Sequence, residues 1–295
     1  MTEGREVSVG FGDINWRRSG QAFRFIFSYI LMIAGSLVFL MPLFWMFTTS
    51  LKDQSEVYTF PPDFFPKTWL WSNFPNGWNY PNMYFNQWLG NTLFITIMVM
   101  VGVLLSSSLC AYGFARIKFP GRDIWFMAVL ASIMLPGTVT LIPLYVAYAR
   151  IGWLDTFNPL IIPVYFGGGA FNIFLLRQFF KNIPVELEEA AILDGAGRLR
   201  IWWEIFLPLS RPVLAAVAVF TFQGVWNDFY GPLIFLTTPE KYTLALGINM
   251  FKGMYSTQVP LMMAMSFLMV IPMIFVFFIA QRQMIRGVIL SGIKA

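Results

Sequence analysis

Six stretches of this chain are apolar over nearly the length of a bilayer crossing: residues 25–47, 93–115, 124–148, 160–176, 213–236 and 261–280. A hydrocarbon core about 30 Å thick takes roughly 20 helical residues to cross, and backbone groups left unpaired there are costly, so these runs are predicted to be spanning helices. The fourth is short and the fifth is interrupted. Composition agrees, because 57% of the 295 residues are apolar and only 12% charged, against about 45–50% and about 25% in soluble domains. That balance argues against a soluble enzyme. The chain has no histidine, which excludes imidazole general-base catalysis and almost every transition-metal site. Its single cysteine, Cys110, forms no internal disulfide or thiolate cage and is silent about the compartment.

Lysine and arginine set the expected direction, since cationic flanks are retained on the cytoplasmic side. Most of the 20 basic residues fall on one face. They lie in the N-terminal tail (Arg5, Arg17, Arg18, Arg24), after the second run (Arg116, Lys118, Arg122), after the fourth (Arg177, Lys181, Arg198, Arg200, Arg211) and at the C-terminus (Arg282, Arg286, Lys294). The other face has Lys52, Lys67, Arg150, Lys241 and Lys252. The prediction is an all-α membrane protein with six transmembrane helices and both termini cytoplasmic. A cytoplasmic tail covers 1–24, the helical domain 25–283 and a second tail 284–295. The first helix reads as an uncleaved anchor, being longer than a signal-peptide core and lacking a small-residue cleavage site. The net charge of +5 follows from the same flanks and needs no nucleic acid to explain it.

Proline and glycine punctuate the later runs: Pro136-Gly137 and Pro143, Pro163 and Gly167-Gly168-Gly169, Gly224 and Gly231-Pro232, then Pro272. Such residues make kinks, close contacts or unwound stretches, as in a translocation pathway, and they are also common in membrane helices generally. Asp228, in the run Trp226-Asn227-Asp228, is the carboxylate placed near the membrane interior. A charge there costs about 2.5–3.5 kcal/mol on insertion scales, so it should face a cavity, a partner or the membrane edge. Two readings stay open: Trp226, Asn227 and Asp228 line a substrate pathway, or Asp228 caps a broken helix end.

No Gly-x-x-x-x-Gly-Lys-Ser/Thr loop is present, so this chain is not expected to hold ATP by that route. Gly167 to Gly169 lack the lysine and read as a packing feature inside an apolar helix. Glu186, Glu188 and Glu189 are expected in the first turns of a polar-face helix, stabilised by its dipole, rather than around a metal. No catalytic residue and no metal ligand is assigned.

The loop 181–211 carries the most information. Asn182 is a candidate N-cap; if Pro184 takes the first helical position instead, the cap falls on Ile183 and Glu186 stands where a capping-box acid belongs. The helix should reach Leu193 and end at a left-handed Gly195 or Gly197. A second short helix is expected from Arg198 to Phe206, with Ile201, Trp202 and Ile205 on an apolar face, stopped by Pro208. Two helices joined by a glycine turn make a compact projection.

Within it, Glu189-Ala190-Ala191, Gly195, Ile205, Leu207 and Pro208 occupy every fixed position of the signature Glu-Ala-Ala, three residues, Gly, nine residues, Ile-x-Leu-Pro. The chain thereby resembles the membrane subunits of binding-protein-dependent ABC importers. Ala111-Tyr112-Gly113-Phe114-Ala115-Arg116 with Phe119-Pro120-Gly121-Arg122, Leu135-Pro136-Gly137 with Leu141-Ile142-Pro143-Leu144, Trp226-Asn227 with Pro232-Leu233-Ile234-Phe235-Leu236, and Gln281-Arg282 with Gly287 and Gly292-Ile293-Lys294 are similar to the carbohydrate branch, specifically the second permease subunit of maltose-type systems.

The resemblance implies a non-catalytic subunit of the cell membrane that pairs with a homologous permease. It implies that the projection docks as a coupling helix into one of two copies of an ATP-binding subunit. ATP and Mg would be held by those partners, and an extracytoplasmic solute-binding protein would deliver a sugar or oligosaccharide. Glu189 could pair with basic groups of the ATPase, Ala190 and Ala191 permit close seating, and Gly195 permits the turn. A second reading keeps the importer and changes its cargo to a phosphorylated polyol or another polar metabolite; a stand-alone channel or ion-coupled transporter is the alternative outside the class. On the outer face, 51–88 holds Tyr58, Phe60, Phe64, Phe65, Trp69, Trp71, Phe74, Trp78, Tyr80, Tyr84, Phe85 and Trp88. It is expected to fold as a loop that helps dock the binding protein, since aromatic rings pack small loop folds and interfacial belts as well as stacking on sugars.

Overall fold

A computed structural model describes residues 13–253 and 257–292, with side chains for 24–253 and 257–281. Arg5, Ile293 and Lys294 lie outside the described residues; Arg17, Arg18, Arg282, Arg286 and Gly287 fall where only the backbone is described. Among the described residues every named element is helical and no strand occurs. Four helices are long and apolar enough to cross a membrane, or up to six if each of two sharply bent pairs is one span.

The first long helix, α1 (Asp13–Ser50), starts well inside the predicted polar tail. A folded loop containing α2 (Asn73–Trp78) leads to α3 (Phe85–Arg116), whose 32 residues make it roughly 48 Å long at about 1.5 Å per residue. The predicted third run is not one helix. It divides into α4 (Arg122–Ser132) and α5 (Gly137–Arg150), which meet at 94°. Pro136 is extended at the break, whereas Pro143 lies inside α5 without ending it. The fourth run is α6 (Asn158–Ile161), a 3-10 turn and α7 (Ala170–Lys181).

Between that turn and α7, Gly167, Gly168 and Gly169 have φ of 144°, 63° and 92°, so they interrupt the helix rather than sit within it. The packing expectation holds for Gly168: a Cβ there would stand 2.7 Å from Ser106 Oγ and 2.9 Å from the Ser107 nitrogen. Gly102, on the same side of α3, lies under the Tyr165 ring, and the Tyr165 hydroxyl donates to Met98 O at 2.9 Å. Small residues thus let α3 and the broken helix approach closely, which is how membrane helices gain contact when lipid supplies no hydrophobic drive.

The hairpin helices α8 (Val185–Leu193), α9 (Arg198–Ile201) and α10 (Leu207–Leu209) precede α11 (Arg211–Trp226), which turns 82° away at Ser210. The predicted fifth run ends as a helix at Trp226; α12 (Tyr230–Phe235) follows after a break, then α13 (Leu244–Ile248). Last, α14 (Val259–Gly292) passes the predicted 280 and tolerates Pro272 inside it. α3 is the central helix, packed on α7 and α11. One apolar cluster gathers Tyr112, Phe180, Ile201 and Phe206 near its Arg116 end; another gathers Phe85, Trp88, Trp226, Phe251 and Met265 near its opposite end. By contrast, α5 buries none of its residues against the rest of the chain.

The aromatic-rich loop is folded, but its rings divide. Phe85 and Trp88 are buried in the core, whereas Phe60 is 95% exposed. Lys52 does not behave as a solvated flank. It is 2% exposed, its Nζ donates to Asp63 O at 2.5 Å and it lies 4.6 Å from the Trp45 ring. The Asn73 amide bridges Ser50 O and Lys52 O, each at 2.9 Å, pinning the loop to the end of α1.

At the same end of the molecule, Asp155 staples two connections together. Its Oδ1 accepts from the Thr237 and Thr238 amides, both at 2.9 Å, and its Oδ2 from Thr238 Oγ1 at 2.6 Å and Lys241 Nζ at 2.8 Å. Desolvation opposes the charge, but the hydrogen bonds from Lys241 and Thr238 outweigh it and hold the carboxyl well below the usual carboxylate range. A depressed folded-state value means that the stabilisation is present above the unfolded value and is lost as pH falls below about 4. Asp155→Asn is expected to cost about 1–2 kcal/mol at neutral pH, after allowance for partial exposure. Melting curves from pH 7 to pH 3 check this: the gap between parent and variant should close toward acid, and a constant gap would refute the staple.

Candidate functional site

α7 ends where the Asn182 side-chain amide turns back to Gln178 O at 3.1 Å. Asn182 therefore closes α7 rather than capping the next helix. Ile183 is buried, and α8 begins at Val185 with Pro184 in the cap position and no side-chain cap. The three acids also part company. Glu186 and Glu189 are exposed, but Glu188 is 5% exposed. Its Oε1 receives Arg198 Nη1 at 2.5 Å and its Oε2 lies 3.9 Å from Arg116 Nε.

α8 ends as predicted at Gly195, with φ +81°, while Gly197 is extended. The Ala196 amide reaches Ala191 O at 2.9 Å and the Gly195 amide reaches Ile192 O at 3.0 Å. This paired closure is a Schellman motif, which needs the left-handed residue that glycine supplies without a Cβ penalty. The second arm, Arg198–Leu209, contains a π turn at Trp202–Phe206. It runs one residue past Pro208, where it was expected to stop. Proline lacks a donor and crowds the carbonyl four residues back; the widened turn just before it accommodates both. Ile201, Trp202 and Phe206 are buried and Ile205 is half-buried.

The seven signature residues consequently do three things. Glu189 and Ala190 face outward; Ala191, Ile205 and Leu207 are half-buried between the arms and the bundle; Gly195 makes the turn, with Pro208 exposed in the last one. Around Glu189 and Ala190, Leu187, Ile192, Leu193, Leu199 and Trp203 are also exposed. An apolar surface fringed by charge at the tip of a polar hairpin is the composition of an interface.

The second predicted group does not act as a unit. Trp226 is buried, stacks on Phe222 at 5.2 Å and donates from Nε1 to Met269 O at 3.0 Å. Asn227 is exposed and its amide donates to Gln223 O at 2.9 Å. Asp228 Oδ1 accepts the Gly231 amide at 3.1 Å, one of the donors that the first turn of a helix leaves unpaired. It also borders a cavity of about 40 Å³ with Thr92, Leu160 and Thr243. Sequence reasoning missed Arg116 as a structural centre and Glu188 as a buried acid. The one local signal was that Arg116 ends an apolar helix and Glu188 precedes the signature.

A chain whose described residues form helices, several of them apolar and of bilayer length, with a polar hairpin at one end, is a multi-pass membrane protein. Residues 102–289 match the family described as binding-protein-dependent transport system inner membrane component. The chain belongs to that family. It is similar over 267 residues, at 30% identity, to the diacetylchitobiose uptake system permease protein NgcG of Streptomyces coelicolor, covering 90% of this chain and 87% of the relative. It is 34% identical over 273 residues to the sn-glycerol-3-phosphate transport system permease protein UgpE of Yersinia pestis, covering 90% and 95%. A chain from the crystal structure of a bacterial ABC transporter involved in the import of the acidic polysaccharide alginate superposes with a TM-score of 0.76 at 24% identity, covering 90% and 97%. At that identity the likeness shows the fold.

Proposed function

We propose that this chain is one permease subunit of an ATP-driven importer, forming half of the pathway for a sugar or oligosaccharide. In this reading it crosses the inner membrane six times with both termini cytoplasmic, each bent pair counting as one span, and 181–211 is its coupling loop. A homologous permease covers surfaces such as that of α5. Two copies of an ATP-binding subunit hold ATP and Mg, one of them docking the hairpin, and an extracytoplasmic binding protein delivers the cargo. The carrying observation is the hairpin itself, which turns Glu189 and Ala190 outward on an apolar tip while Ala191, Ile205 and Leu207 hold it to the bundle. Closure of the ATPases would then rock the helices as rigid bodies, an alternating-access mode.

The sugar assignment is supported by the similarity to the diacetylchitobiose permease. A phosphorylated polyol is the second reading, favoured by the similarity to the glycerol-3-phosphate permease. Isolating the cognate binding protein and identifying its ligand by mass spectrometry decides between them. Purification tests the class, because an importer subunit brings an ATPase with it and a stand-alone carrier transports without one.

Within this reading Asn227 and Asp228 are offered to the route, with Trp226 buried behind them. The Gly231 contact makes a capping role the stronger expectation for Asp228. Asp228→Ala should cost about 1 kcal/mol, the scale of a lost helix-start acceptor, visible as a lower melting temperature with uptake retained. Loss of uptake at unchanged melting temperature assigns Asp228 to the route instead.

A further inference from the structure

We infer that Arg116, Glu188 and Arg198 form the joint that makes the hairpin and the helix bundle move as one body, an inference that rests on the coupling role proposed above. Covalently the hairpin hangs from two thin links, the non-helical residues Asn182 to Pro184 and the sharp turn at Ser210. Links of that kind transmit a push poorly. The Arg116 guanidinium supplies what they lack. Its Nη2 donates to Phe180 O at 2.8 Å and also to Ile183 O, so the end of α3 grips the end of α7 and the link into α8. Its Cζ lies 5.2 Å from the centroid of the Phe206 ring, which packs edge-on against Tyr112 at 4.8 Å and Phe180 at 5.3 Å. Glu188 then completes the bracket, taking Arg198 from the second arm on one oxygen and facing Arg116 with the other.

Three properties suit this cluster to transmission rather than to docking. The Arg116 and Glu188 side chains are only 10% and 7% exposed, so the pair is little screened by salt, and removing one partner strands a buried charge. The cluster ties four segments at one point: the ends of α3 and α7, the first turn of α8 and the second arm. Glu188 also faces inward while its neighbour Glu189 faces outward, as adjacent residues on a helix do. Docking and transmission are thereby assigned to consecutive acids, and they can be separated by mutation. Glu188, Arg116 and Arg198 are positioning residues; they act through the motion of the hairpin.

The test uses the assembled transporter in vesicles, measuring sugar uptake and ATP hydrolysis together. Glu188→Gln, Arg198→Gln and the double variant are compared, with recovery of the ATPase on purification as the docking readout. Each single variant should bring down a full complement of ATPase yet lower uptake per ATP hydrolysed on the order of ten-fold, the scale of an inter-site coupling. The double should be no worse than Glu188→Gln, as two residues acting through one contact require. Glu188→Asp should recover part of the ratio. Where Glu188→Gln assembles poorly, Arg198→Gln carries the test, because its side chain is already 55% exposed. Assembled variants with the parent ratio overturn the joint. Glu189→Lys separates this from failure of the coupling model: if it loses coupling while Glu188→Gln does not, the joint alone is wrong, and if no ATPase accompanies even the parent chain, the functional reading fails with it.

Discussion

Gly195→Pro and Glu189→Lys are each expected to leave the chain inserted in the membrane while uptake drops on the order of ten-fold or more relative to ATP hydrolysed, the range of a broken inter-site coupling. The reasons differ. Gly195 has φ +81°, and proline fixes φ near about −65° and has no amide to give. The substitution removes the bond from the Gly195 amide to Ile192 O and forces the second arm to leave α8 in another direction. Among the described residues Glu189 makes no hydrogen bond or ion pair, and it is exposed, so reversing its charge leaves the hairpin standing and alters only what it presents. Simultaneous measurement of uptake and hydrolysis checks both. Normal uptake in the two variants would count against the hairpin as the coupling element.

The largest effects on stability are expected where Gly247 meets Trp88. A Cβ on Gly247 would overlap Cε3 and Cδ2 of the Trp88 ring. Trp88 is fully buried, donates from Nε1 to Pro239 O at 2.7 Å and packs edge-on to Phe85 at 4.8 Å. The ring has no direction in which to yield, so Gly247→Ala should cost about 2–3 kcal/mol as overpacking. Trp88→Ala alone should cost about 3–5 kcal/mol by leaving a cavity. In the double variant the penalty of the added methyl should vanish, a non-additivity readable from melting temperatures. Equal melting of Gly247→Ala and the parent would show that α13 and α3 do not approach this closely.

Legibility differed by the range of the interaction. The long apolar helices were readable because their signal is a run of contiguous residues. Gly195 was readable as well, since a helix end of this kind calls for a left-handed residue and glycine is the usual one. The capping of α8 was not: Asn182 has the chemistry of an N-cap, yet its amide was taken by Gln178 O one turn earlier. Local propensity offered Asn182 two uses, and only the surrounding chain chose. Asp155 and Lys241 showed no local sign of their pairing, because 86 residues separate them.

The sequence by itself determined that the chain is helical and built for a membrane, that the hairpin turns at a glycine, and which family it resembles, because hydrophobic length, glycine conformation and a spaced signature are properties of neighbouring residues. Tertiary structure alone decided that the third run folds at 94°, that Glu188 is buried while Glu189 is not, and that Arg116 binds the end of α7. Those outcomes depend on which distant segments arrive to take up a charge or a carbonyl. No window of adjacent residues records that arrival.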